Sequence, residues 1–329
     1  MRVGVDVAPL VQTRAGTARW INGLLSGLEG RSGLEIRRLT WGGPGRLVAV
    51  VRDVAWYPLL LPRTARRQRL DVLHTTIFRG PLRSAVPVAL TVHDLAVLRH
   101  PEVFPSWTRL HGRLTLRATV RAARRVIAVS EFTRREVAEL CDVPLDRIDV
   151  VPNAVDPVFA PEGPSADGDY LLAVGTLEPR KNLVRAAEAA RLLGAELRVV
   201  GARGWGDGAA PGAHVRLLGR VPDEELAALY RGARCLVFPS LYEGFGIPVA
   251  EAMACGTPVV TSAGSAMADV AGAAAVLVDP LDPGAIAAGV EEALARAAEL
   301  RAAGLERAAA YTWGRAADAA EAAYRRTAG

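Results

Sequence analysis

Short apolar runs alternate with helix-like stretches along the whole of this 329-residue chain, and that alternation restricts the fold more than any other feature. The runs lie at residues 2–7, 35–41, 72–75, 88–92, 126–129 and 148–151, then at 170–174, 196–200, 215–218, 235–238, 258–261 and 275–278. Strands this short and this apolar suit a parallel sheet covered on both faces, with helices as the return segments. Gly16–Leu28, Thr108–Ala123 and Glu131–Leu140 read as such helices, the last with Ser130 as its N-cap. The expected class is α/β, with two Rossmann-like, doubly wound parallel-sheet domains. One core would be too large for this length, so the division is expected at residues 1–156 and 170–329. Residues 157–169, rich in Pro, Gly and acid, read as the linker between them. The Ala-rich tail reads as helical with breaks near Gly304 and Gly314, its last helix able to pack back on the first domain.

Charge divides the chain at the same place. Residues 1–155 hold 24 arginines and 13 acids, giving +11, whereas residues 156–329 give −6 within a net charge of +5. Two halves of opposite sign imply different partners. No helix-turn-helix, zinc-finger or aromatic-rich signature accompanies the basic half, which argues against nucleic acid and leaves an anionic membrane or a phosphate-bearing acceptor. Arg109, Arg113, Arg117 and Arg121 recur every four residues and form one helical stripe, either a solvated face or a docking strip for anionic lipid. Cys141, Cys235 and Cys255 sit in apolar contexts and read as buried small hydrophobes. The first residues already read as a strand, with no leader-like apolar region, and the longest apolar stretch, Leu47 to Pro62, is too short for a bilayer. A cytoplasmic protein, with peripheral contact at the inner membrane face as an option, is expected.

Chemistry concentrates in Pro239-Ser-Leu-Tyr-Glu-Gly-Phe-Gly-Ile-Pro-Val-Ala-Glu-Ala252. A strand runs into a Gly-rich turn carrying Glu243, and the turn opens a helix with Pro248 near its first position, where a missing N–H costs nothing. Unpaired N–H groups at such a helix start attract phosphate, and Gly244 and Gly246 allow close backbone approach. Glu251 offers only acceptors when ionised, which suits a pair of ribose hydroxyls. The chain has 40 basic residues and a single lysine, Lys181, beside Arg180 at the end of the run 170–174. One retained ammonium in an arginine background suggests a place too narrow for a guanidinium, such as a diphosphate pocket. His93 and Asp94 follow the run 88–92, where ligands gather in open α/β sheets; His93 either donates to a sugar hydroxyl or is satisfied by a loop carbonyl. Gly16 opens a helix after the first strand and can offer its N–H to phosphate, or is a plain turn glycine. Two further patterns carry no chemistry. Asp167-Gly-Asp169 lies in the linker and is explained by turn formation. The glycines of residues 201–206 have the wrong spacing for a dinucleotide loop.

The Glu-x7-Glu segment resembles the donor site of the retaining glycosyltransferases of family 4, with the two-domain GT-B fold. The resemblance extends through Val-Pro-Asn-Ala-Val-Asp at 151–156, Gly-Thr-Leu-Glu-Pro-Arg-Lys-Asn at 175–182 and Leu-Gly-Arg-Val-Pro-Asp-Glu-Glu-Leu at 218–226. It implies a nucleotide-sugar-binding second domain and an acceptor-binding first domain that close on one another. It assigns Lys181 and Arg180 to the diphosphate, Glu243 to the transferred sugar, and Gly244, Phe245, Gly246, Ile247 and Glu251 to the donor. It also places His93 toward the sugar and backbone atoms at Val221 on the nucleobase. Many members carry arginine where Thr176 stands, so Arg180 is expected to take over that role. The resemblance further implies a glycan or lipid-linked acceptor and no cofactor or metal. Residues 175–182 resemble mannosyl- and rhamnosyl-type enzymes, which favours GDP-mannose while UDP- and dTDP-sugars stay open. An epimerase or phosphorylase of the same fold, or a sugar-binding protein, is the alternative class.

Overall fold

The computed structural model describes residues 1–11, 16–101, 106–202, 204 and 212–329; at residues 46, 106–111, 113 and 114 it describes the backbone alone. Among the described residues, strands β1 (Arg2–Asp6), β2 (Glu35–Leu39), β3 (Val72–Thr75), β4 (Val88–Val92), β5 (Arg125–Ala128) and β6 (Ile148–Val150) form one parallel sheet in the order β2-β1-β3-β4-β5-β6. Strands β7 (Tyr170–Val174), β8 (Glu196–Val200), β9 (Val215–Gly219), β10 (Cys235–Phe238), β11 (Val259–Ser262) and β12 (Val276–Val278) form a second, in the order β12-β11-β10-β7-β8-β9. All twelve apolar runs are strands, and β3, β4, β7 and β10 are buried at every position. The reversal of strand order falls between β1 and β3 in the first sheet and between β7 and β10 in the second. Such switch points leave a crevice at the carboxyl ends of the strands, where ligands bind.

The chain divides into two units, Met1–Ala154 with Trp313–Gly329, and Val155–Thr312. The segment 157–169 lies against the second unit instead of hanging free. Phe159 is buried edge-on to Tyr230, and Arg231 donates to the carbonyls of Ala160 and Pro164. The tail also differs from expectation. Its helices are Pro283–Ala295, Ala297–Ala308 and Trp313–Ala328, so the first break falls at Arg296 and Gly304 continues a helix. A side chain at Gly304 would press on Met253, which explains a glycine there without a break. The three cysteines are free and buried. Among the described residues no helix is long and apolar enough to cross a membrane.

The last helix anchors the first unit through a buried polar chain. Tyr324 Oη lies 2.8 Å from His74 Nδ1, and His74 Nε2 lies 2.8 Å from Thr91 Oγ1. Burial, with the nearby His93, pushes His74 down to about 3. The unfolded chain therefore takes up a proton near pH 6.5 that the native ring refuses, so His74 draws stability down as pH drops below 6.5, while buried Asp6, raised to about 7, acts in the opposite direction. The slope is about 1.4 kcal/mol per pH unit from His74 alone. Between pH 6.5 and pH 5 the His74 share of the loss is about 2 kcal/mol, read as the difference between wild type and a His74→Gln variant in urea midpoints at each pH. The variant should lose that share of the pH dependence, and a slope unchanged from wild type would contradict the assignment.

Candidate functional site

At the switch point of the second sheet, the loops after β7 and β10 meet. After β7 the chain turns through Gly175 at φ 152° and a short 3-10 turn, Pro179–Lys181, into Asn182 at φ 57°. Asn182 holds this left-handed conformation because its Nδ2 donates to Pro239 O at 2.9 Å and to Pro280 O at 2.6 Å. That one buried amide ties both loops and the end of β12 together. Gly175 is required by close approach: a Cβ there would stand 3.1 Å from Lys181 Cδ. The lysine stem therefore lies across bare backbone, with Nζ 5.2 Å from the Phe238 ring centroid.

Glu243, from the turn after β10, receives both cations. Lys181 Nζ lies 2.6 Å from its Oε1, and Arg180 Nη1 lies 2.9 Å from its Oε2. Ser240 Oγ donates to Oε1 at 2.8 Å. Arg180 is further held by Glu178 at 2.7 Å and by the carbonyl of Tyr242 at 2.6 Å. Burial would raise the Glu243 carboxyl, but the Lys181 and Arg180 charges and the hydrogen bonds from Lys181 and Ser240 outweigh it and hold it at about 2. The side chains of Lys181 and Glu243 keep 13% of their surface and that of Arg180 keeps 18%, so two partly open cations meet at the sheet edge.

The same turn starts the helix Ile247–Ala254, with Pro248 in its first turn. Gly246 sits at φ 97°, and a Cβ would strike Met267 Cγ at 2.7 Å, so glycine is obligatory on both counts. Phe245 is buried edge-on to Tyr311 at 5.3 Å and fixes the turn from below. Glu251 lies in the helix, buried, with the Tyr230 hydroxyl 3.0 Å from its Oε2. Val221 follows β9 at the carboxyl edge of the same sheet, just before the helix Asp223–Gly232. Lys181, Arg180, Glu243, Gly244, Phe245, Gly246, Ile247, Glu251 and Val221 thus all belong to the second unit, as does the anchoring set of Asn182, Ser240, Glu178 and Tyr230 that the sequence did not single out. Asn before a helix after a turn is a usable signal. Tyr230 comes from a separate helix and carries no local signal.

His93 and Gly16 belong to the first unit. His93 follows β4, with its ring edge-on to Trp20 at 5.0 Å and Nε2 2.9 Å from the carbonyl of Thr76. A carbonyl can only accept, so Nε2 carries the proton. Burial pushes its pKa down against that hydrogen bond and the Asp94 charge, which keeps the ring neutral. Its Nε2 is thus satisfied by a loop carbonyl, the second of the two readings the sequence left open, and the neutral ring can only accept at Nδ1. Gly16 is the first residue of the helix Gly16–Leu28. In the arginine stripe, Arg117 donates to Leu140 O at 2.9 Å, and Arg121 donates to Cys141 O at 2.7 Å and pairs with Asp142. These two cap the carbonyl end of the helix Glu131–Cys141, a structural duty. The side chains of Arg109 and Arg113 lie outside the described residues.

Residues 156–310 match the family described as glycosyl transferases group 1, and residues 27–159 match glycosyltransferase family 4. The chain is 36% identical over 284 residues to O-antigen chain mannosyltransferase B of Escherichia coli, covering 76% of this chain and 74% of that protein. It is 32% identical over 277 residues to D-inositol 3-phosphate glycosyltransferase of Mycolicibacterium smegmatis, covering 74% of this chain and 63% of that one. Among solved structures, sucrose-phosphate synthase from Thermosynechococcus elongatus superposes with a TM-score of 0.80 at 19% identity, over 99% of this chain and 98% of the other. HepE of Anabaena, solved with UDP and glucose, gives 0.72 at 16% identity, over 98% of both chains.

Proposed function

The chain belongs to the glycosyl transferases group 1 of glycosyltransferase family 4, with the GT-B fold, and from that premise we propose a retaining, metal-independent hexosyltransferase acting on a nucleotide-diphosphate sugar. The observation that carries the reading is the convergence of Lys181 and Arg180 beside the start of the helix Ile247–Ala254 at the β7/β10 switch point. Breaking the bond between the anomeric carbon and the diphosphate leaves negative charge on phosphate. Two cations and a helix N-terminus stabilise that charge without reorganisation. They also supply the positive charge that a divalent ion would otherwise bring. Glu243 orients the donor sugar, Glu251 takes the ribose hydroxyls, and backbone atoms at Val221 read the base. The first unit carries the acceptor, and His93 contributes a neutral acceptor nitrogen for a sugar hydroxyl. The acceptor hydroxyl attacks from the face that the diphosphate leaves, so configuration is retained.

GDP-mannose is the proposed donor and a glycan or lipid-linked saccharide the acceptor, in polysaccharide assembly. The similarity to an O-antigen mannosyltransferase and the 175–182 octet support this choice. The test incubates the protein and a saccharide acceptor with GDP-mannose, UDP-glucose or dTDP-rhamnose, with EDTA present, and reads the product anomer by NMR. Transfer from GDP-mannose with the donor's configuration is expected. An inverted product, or activity abolished by EDTA, would overturn the mechanism.

A further inference from the structure

The carboxylate assigned to the ribose is held by a second side chain. Glu251 lies within the helix Ile247–Ala254 and keeps only 2% of its surface. A glutamate carries its carboxylate on a chain of rotatable bonds, the last of them broad, so its oxygens have no fixed place unless a partner holds them. Tyr230, in the last turn of the neighbouring helix Asp223–Gly232, is that partner. Its hydroxyl donates to Glu251 Oε2 at 3.0 Å. With one oxygen pinned, the turn of the carboxylate about its last bond is set, and Oε1 is set with it.

Tyr230 is itself fixed from several sides. Its buried ring stands edge-on to Phe159 at 5.9 Å. Its carbonyl accepts from Thr257 Oγ1 at 2.6 Å, and Thr257 lies just past the end of the helix that carries Glu251. Arg231, beside it, donates to the carbonyls of Ala160 and Pro164. The phenol is therefore a rigid post and the glutamate the movable group that it steadies. Packing alone would be served by phenylalanine, which fills the same space without burying an O–H that needs a partner. The same helix begins just after Val221, so one rigid element of ten residues, about 15 Å long, joins the proposed base-reading loop to the post behind the ribose carboxylate.

We propose that Tyr230 is a positioning residue that makes Glu251 selective for ribose, by holding its carboxylate ready for both hydroxyls of the nucleotide's sugar ring. The proposal rests on the reading of Glu251 as the ribose partner and adds to it the origin of discrimination. A carboxylate already held in place accepts from the hydroxyls with little ordering cost. Facing a ring that lacks them, it stays buried without those donors, and that penalty separates ribose from its analogues. The donor class that follows is a ribonucleotide one, GDP- or UDP-linked, over a dTDP-linked one whose ring lacks one of the two hydroxyls.

Calorimetric titration tests it, with GDP and 2′,3′-dideoxy-GDP added to wild type, Tyr230→Phe, Glu251→Gln and the double variant, and the uridine pair run alongside. Wild type is expected to prefer the ribonucleotide on the order of 100-fold, since two hydroxyls meet one buried carboxylate. Tyr230→Phe should cut that preference about tenfold, wholly through weaker binding of the ribonucleotide. The dideoxy nucleotide keeps its base and diphosphate contacts, so its unchanged affinity reports that the fold is intact. In the Glu251→Gln background, adding Tyr230→Phe should alter ribonucleotide binding by less than about twofold, because the phenol acts through the carboxylate. Equal weakening of both nucleotides by Tyr230→Phe would mark a merely structural role and overturn the proposal, as would a preference left at its wild-type value. Failure of the ribose reading itself looks different. Wild type would then bind ribonucleotide and dideoxynucleotide alike, or Glu251→Gln would keep the full preference, and the role of Tyr230 would fall with it.

Discussion

Replacing Lys181 by alanine lowers kcat/KM for sugar transfer by at least about 30-fold, equivalent to about 2 kcal/mol of transition-state stabilisation. The lysine ammonium is 2.6 Å from Glu243 and sits at 13% side-chain exposure, where water screens it little. Its loss removes one of two cations from the developing charge on the leaving diphosphate. Glu243 keeps Arg180 as a partner at 2.9 Å, so the turn should remain folded and the defect should be catalytic. Arginine at the same place should not restore activity, because a planar guanidinium does not reproduce a compact ammonium held 2.6 Å from Glu243 Oε1 and 5.2 Å from the Phe238 ring centroid. Steady-state kinetics on both variants, with melting temperatures as a control for folding, check the prediction. A loss under threefold in the alanine variant would remove Lys181 from the mechanism.

Truncation after Thr312 is expected to abolish cooperative folding of the first unit. The helix Trp313–Ala328 belongs to that unit and packs on the helix Gly16–Leu28. Gly23 and Gly27 form the groove: a Cβ at Gly23 would lie 2.1 Å from the Trp313 ring, and one at Gly27 would lie 2.6 Å from the Trp313 carbonyl oxygen. Ala316, Ala317, Ala320, Ala323 and Tyr324 are all buried. Removing the helix exposes the surface beneath them and strips His74 of its hydrogen bond to Tyr324. It also breaks the Arg31 pairs with Asp318 and Glu321 and the Arg326 pair with Asp149. Burial of one tyrosine and one orphaned buried nitrogen alone come to roughly 3–6 kcal/mol. Whole domains are stable by only about 5–15 kcal/mol. Urea unfolding of residues 1–312 followed by near-ultraviolet circular dichroism should show no transition for this unit, and a wild-type midpoint would contradict the packing account.

Much of this architecture is legible in the sequence because parallel strands buried on both faces have to be short and apolar. All twelve strands are placed that way, with ends shifted by a residue or two where side chains reach the sheet edge. The helical run at 46–67 is not legible, since Pro58 and the wider π winding interrupt the ordinary helical period. Gly304 was read as a break because glycine weakens helices, yet its contact with Met253 rewards the missing side chain. The seventeen residues 313–329 depend on partners such as Gly23 and His74, nearly three hundred positions away for the first of them, so local pattern only permits their return. At the candidate site, Glu243, Gly246 and Glu251 share one short segment, and Lys181 stands out by composition. Ser240 and Asn182 act through contacts across two loops, which no spacing rule announces.

The account rests on the diphosphate of a nucleotide sugar lying against Lys181, Arg180 and the first turn of the helix Ile247–Ala254. A crystal structure of the protein with GDP-mannose measures this directly. The account predicts phosphate oxygens within hydrogen-bond distance of Lys181 Nζ and of the backbone N–H groups that open that helix. Well-defined nucleotide density elsewhere, with Lys181 and Arg180 still closed on Glu243, would contradict it.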